Sequence, residues 1–212
     1  MKILEEKLRS IKEDVLEIHK LAQKAVDACI DGLRGDEEKK KIASDMEQIV
    51  DVINTDVDCE CVSVVALFQP VARDLRFTMS MMRISGSYER ITDLAQEIAS
   101  YNVQTGFDEV IEIFSKIKLL HLEMFNLIGN ALRTGNTTNL KKELTRLDDE
   151  IDNLYRKALD VLKETVRKDP QTIDKVIELV FVARHLERIA DILSKIGARI
   201  IFIEEGVRVW IK

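Results

Sequence analysis

Proline occurs only twice in the 212 residues, and glycine eight times. A chain so poor in breakers is not cut into the short strands and tight turns of a sandwich or barrel. Aromatic residues make up 5% of the chain, while charged residues reach 33% and apolar ones 46%. That mixture predicts an all-α protein with ample material for a core. Basic residues are spread out and the net charge is −6. Without clustered Lys and Arg, a nucleic-acid partner is disfavoured. No apolar run approaches the roughly 18 residues that span a bilayer. Met1-Lys2 leads into an amphipathic segment, so no secretory leader is expected. The three cysteines, Cys29, Cys59 and Cys61, show no CxxC spacing and read as reduced thiols, which fits a cytoplasmic setting. Cys59 and Cys61, two apart on a predicted helix, point to different faces.

What is present is a repeat. Glu89-Arg90-Ile91-Thr92-Asp93 returns 98 positions later as Glu187-Arg188-Ile189-Ala190-Asp191. Upstream of the first copy stand Glu47 and Asp51, and upstream of the second Asp148 and Asp152. Each half thus holds two acidic pairs at i, i+4, in one order and at nearly one separation, as duplication would leave them.

The rest of the chain follows this plan. Leu4, Leu8, Ile11, Val15, Ile18, Ala22, Ala25 and Cys29 alternate in steps of four and three, the stripe of a long helix over 2–33. Asp36 is placed to cap a second helix over 37–67, which Gln69-Pro70 breaks. Gln69–Arg76 reads as a tight connection, with Asp74 as a cap, into a third helix that extends to 103. The stop signal at Asn102–Gly106 divides the chain into 1–105 and 106–212. Helices over 107–133, 137–167 and 171–205 repeat the plan, with breaks at Gly135, at Pro170 and at Gly206. The apolar tail Val207–Ile211 packs either on the bundle or on a partner. Six long helices with short links favour two tandem three-helix bundles related by internal duplication.

Residues four apart on a helix share a face. If neighbouring helices align, Glu47, Asp51, Glu89 and Asp93 converge in the first half. Asp148, Asp152, Glu187 and Asp191 do so in the second. Crowded carboxylates take up protons, splay into water or bind cations. Oxygen-only donors suit Mg²⁺, Mn²⁺, Ca²⁺ or ferric iron. Competing with this reading are a solvated acidic face and neutralisation by Arg90 and Arg188 from within the motifs. Glu97 is either a further oxygen ligand or an exposed side chain. His19, His121 and His185 lack a glutamate three positions upstream, so the Glu-x-x-His ligands of di-iron oxidases are missing. No phosphate-binding loop, nucleophile elbow or metalloprotease motif occurs, and an enzyme is not expected.

Gln-Pro-Val-Ala-Arg-Asp-Leu-Arg at 69–76, the two Glu-Arg-Ile-x-Asp motifs and the spaced acids together resemble the PhoU family, over residues 3–205. The resemblance implies two pseudo-symmetric three-helix bundles. It also implies multinuclear metal clusters, of iron or zinc and with Mg²⁺ or Mn²⁺ as further candidates, on the eight carboxylates. It implies a cytoplasmic, non-enzymatic homodimer that reaches the membrane only through partners. Those partners are the ATPase of the phosphate ABC transporter and the phosphate-sensing histidine kinase, both of which it restrains. The Gln-Pro-x-x-x-Asp-Leu-Arg segment occurs only in the first half, and Glu47 stands where the second half has Asp148. That exchange of Glu47 for Asp148 leads to the expectation that the two sites differ in affinity or metal. Accessory proteins of other phosphate permeases have similar length, which leaves the transporter open. A metal-dependent or iron-storing carboxylate protein, and a purely structural helical partner, are the remaining readings.

Overall fold

The computed structural model describes residues 2–103 and 105–211. Met1, which precedes the expected first helix, Gln104, within the expected stop signal, and Lys212 lie outside the described residues. The chain forms α1 (Lys2–Leu33), α2 (Glu37–Phe68), α3 (Ala72–Ser100), α4 (Asp108–Thr134), α5 (Leu140–Lys168) and α6 (Ile173–Glu205). A short 3-10 turn, Pro170–Thr172, precedes α6. Among the described residues there is no strand.

The stripe on α1 faces inward, with Ile11, Val15, Ile18, Ala22, Ala25 and Cys29 fully buried. Asp36 caps α2, its Oδ1 accepting from the amides of Glu38 and Lys39 at 3.1 Å each. Asp74 does not cap α3. The N-cap is Val71, and Asp74 sits in the first turn, where its negative charge still faces the positive end of the helix. α3 stops at Ser100, three residues short of the sequence expectation, because Tyr101 turns extended at ψ 156°. α5 begins at Leu140 rather than 137, after Asn139 adopts φ 61°.

α1, α2 and α3 pack on one another, as do α4, α5 and α6. The two trios also join, α1 against α4 and α3 against α6, and their buried residues form one continuous core. At the junction His19 (α1), Tyr88 (α3) and Phe125 (α4) meet. The His19 and Tyr88 rings are edge-on at 5.4 Å, and Tyr88 stacks on Phe125 at 6.2 Å. His19 Nδ1 and the Tyr88 hydroxyl share a hydrogen bond of 2.7 Å. Gly129 of α4 lets this approach happen, since a Cβ there would stand 2.5 Å from His19 Nε2.

The connection from α2 to α3 has a job in this assembly. Gln69 and Ala72 flank Pro70–Val71 with φ of 47° and 49°, a left-handed pair without glycine. The reversal aims Arg73 and Arg76 at the end of α6. Arg73 Nη2 donates to Glu204 at 2.7 Å, and Arg76 Nη2 reaches the carbonyl of Ile203 at 3.4 Å. Cations at the last turn of α6 offset its unpaired carbonyls and negative dipole end. Gly206 then closes the helix at φ 73°. The tail folds back along α6 and buries Ile211, which approaches Gly197, while Trp210 is 85% exposed.

Candidate metal centre

In the first half, α2 carries Glu47 and Asp51 and packs beside α3, which carries Glu89 and Asp93. Glu47 and Glu89 each lie in the field of Asp51 and Asp93. Burial, then Asp93 and Asp51, raises the pKa of Glu47. Burial, then Asp93 and Asp51, also raises Glu89, with Arg90 opposing and Glu47 adding to the effect. Gln96, one turn beyond Asp93, donates to Ser44 at 3.0 Å and at 3.4 Å to Glu47, tying the two helices together.

The second half repeats this with altered residues. Burial raises Glu187; Arg184 opposes, and Asp191 and Asp152 raise it further. Asp148, at the position of Glu47, is only 4% exposed. Ser194 stands 98 positions after Gln96 and makes the matching contact, its Oγ donating to Asp148 at 3.4 Å. The two acid clusters thus differ in placement: Asp148 is turned into the bundle, while Asp152, Glu187 and Asp191 are part-buried.

Arginines oppose the acids, though not all are the expected ones. Arg90 pairs with Asp93 at 3.0 Å. In the second half it is Arg184 that reaches Glu187, at 2.6 Å, and Arg156 that approaches Asp152, at 3.9 Å. Both were legible from spacing, at i−3 from Glu187 and i+4 from Asp152. Glu97 is not a lone exposed acid, because His185 of α6 brings Nε2 to 3.2 Å from its Oε1 across the α3–α6 junction. His19 and His121 lie in the core.

Among the described residues, no three His, Cys, Asp or Glu side chains stand close enough to hold a metal ion as they are placed. The acids are assembled on shared faces without forming a closed ligand shell. Their chemistry nevertheless fits a hard cation: the donors are all oxygens, their charges oppose one another, and the Arg90–Asp93 and Arg156–Asp152 pairs are part-exposed and of small energy. Among the described residues, no helix is long and apolar enough to cross a membrane.

Comparison with known proteins agrees with this architecture. A PhoU domain matches residues 15–101 and again 114–200. The phosphate-specific transport system accessory protein PhoU homolog of Archaeoglobus fulgidus is 42% identical over 211 residues, spanning 100% of both chains. Its counterpart in Aquifex aeolicus is 29% identical, over 97% of this chain and 94% of its own. PhoU from Pseudomonas aeruginosa superposes with a TM-score of 0.82 at 23% identity, covering 96% of this chain and 99% of that one. The phosphate transport system regulatory protein PhoU from Streptococcus pneumoniae gives 0.83 at 20%, covering 98% and 99%. Those two likenesses speak for the fold, and the sequence matches for kinship: the chain belongs to the PhoU family.

Proposed function

We propose that this chain is an accessory and regulatory protein of a phosphate transport system, acting as a helical adaptor with no reaction of its own. The observation that carries the reading is the match, over the whole of both chains, to a relative named for phosphate-specific transport. On this reading the protein works in the cytoplasm as a homodimer. It restrains the ATPase of a phosphate ABC transporter and a phosphate-sensing histidine kinase. An exposed apolar stripe on α6, Ile173, Ile177, Val180 and Phe181, supports a role that works through protein contacts. A strain lacking the chain should take up phosphate and express phosphate-starvation genes even when phosphate is plentiful. Unchanged uptake and transcription would refute the regulatory role.

The same reading assigns Glu47, Asp51, Glu89 and Asp93 as the residues that would hold cations in the first half. Asp148, Asp152, Glu187 and Asp191 would do so in the second. The ions are iron or zinc, or Mg²⁺ or Mn²⁺. A bound cation would supply charge neutralisation and link α2 to α3, and α5 to α6. For that, Asp93, Glu187 and Asp152 turn away from Arg90, Arg184 and Arg156, and Asp148 turns away from Ser194. The first half, with four acids at or near the surface, binds more readily than the second.

A further inference from the structure

A second charged feature lies further along α6, toward its C-terminal end. Between α3, α6 and the returning tail is a cavity of about 710 Å³. It is lined by four cations, Arg83, Lys195, Arg199 and Arg208, and by no acid. In a chain of net charge −6 this is a local reversal of sign. Among the described residues none of the four has an ion-pair partner, whereas most other arginines of the molecule have one. Arg199 is the most telling: its Nε is buried with no hydrogen-bond partner, so a donor is held out of water without an acceptor. Burial, then Arg83 and Arg208, lowers the pKa of Arg199, as like charges forced together must.

The other walls are apolar. Met79 and Trp210 are exposed on the cavity's rim, and Phe202 lies beneath Arg208, whose guanidinium carbon is 5.7 Å from the ring centroid. The volume is that of a small-molecule site. Guanidinium groups present planar forks that match phosphoryl oxygens, and several of them around one space call for an anion of more than one charge.

We infer that the cavity between α3, α6 and the tail binds a phosphoryl group borne on an apolar or aromatic body, with Arg83, Lys195, Arg199 and Arg208 on the phosphoryl oxygens and Met79, Phe202 and Trp210 against the body. This inference stands apart from the proposed regulatory role and uses none of the eight acids. Two sources present that chemistry: a nucleotide free in solution, or the headgroup of an anionic phospholipid with the start of its acyl chains.

Trp210 is the only tryptophan of the chain and reports on the cavity directly. Its emission is followed while the full chain is titrated with ADP, with vesicles of phosphatidylglycerol in phosphatidylcholine, and with inorganic phosphate. One of the first two probes should saturate below about 1 mM, a modest affinity for such a site. Saturation by ADP identifies a soluble ligand, and saturation by vesicles a headgroup. The variant Arg83→Gln/Lys195→Gln alters two exposed side chains and folds as the parent; it should weaken binding at least tenfold. Arg199→Gln should weaken it further, with circular dichroism checking its fold. Arg167→Gln, on α5 and away from the cavity, should bind as the parent does. Absence of saturation with both ADP and vesicles overturns the inference. So does parental binding by Arg83→Gln/Lys195→Gln. Inorganic phosphate binding as tightly as either larger probe removes the apolar wall from the account.

Discussion

His19 and His121 are buried in the core, and burial lowers both pKa values to about 4. Unfolded, each takes up a proton near the ordinary value of 6.5. Between those values the unfolded chain binds more protons than the folded one, so stability falls as the pH drops from 6.5 toward 4. Each histidine contributes up to about 3 kcal/mol to that loss. The crowded acids act in the opposite sense. Burial first, and neighbouring acids second, raise the pKa values of Glu47, Glu89 and Glu187, so their charged forms weaken the fold at neutral pH and that cost is relieved as they protonate. Urea unfolding of the parent and of His121→Leu at pH 7 and pH 4.5 separates the two effects; the variant should show the smaller acid loss. Glu187→Ala removes one such half-buried acid. Its metal-free form should melt no lower than the parent, while added Mn²⁺ should raise its Tm by less than it raises the parent's. An equal rise in both would remove Glu187 from the ligand set.

Among the elements, α6 carries the most: the second pair of motif acids, the cationic cavity, and the end that Arg73 and Arg76 grip. The Gln-Pro-Val-Ala-Arg-Asp-Leu-Arg segment occurs only in the first half, and its arginines reach across to the second. Arg73→Ala/Arg76→Ala should lower stability by about 1–3 kcal/mol, measured by urea unfolding, and should speed hydrogen exchange in the last turn of α6. Exchange there at the parental rate would contradict the clasp. Helix order was legible because the apolar stripe on α1 and the breaks at Pro70, Gly135, Pro170 and Gly206 are local signals. The cap at Asp36 was legible for the same reason. The expected cap at Asp74 failed because Pro70 lets α3 begin at Ala72, ahead of that residue. The inward turn of Asp148 was harder to see. It shares a helical face with Leu144 and Ile151, which are buried, but an acid in that row reads as an exception until the partner at Ser194 is known. Likewise, the pairing of Glu97 with His185 depends on how α3 meets α6, which no spacing within either helix encodes.

At the scale of the molecule, two copies of one helical trio share a core, and their junction is a packed one. Gly129→Val would drive a side chain into His19, which Tyr88 and Phe125 hold in place. The expected cost is about 1–3 kcal/mol of stability, lost in a single transition because both halves draw on the same core. Two separate unfolding transitions would show that the halves are independent. The duplicated acids survive on both trios although their details have drifted, Gln96 to Ser194 and Glu47 to Asp148. That persistence of matched carboxylates is the ground for reading them as cation sites. The most direct test is elemental analysis of the protein purified from its own host, beside Glu89→Gln/Asp93→Asn and Glu187→Gln/Asp191→Asn. The account predicts bound metal in the parent, with each double variant losing the share held by its own half. Equal metal in all three proteins, or none in the parent, would contradict it.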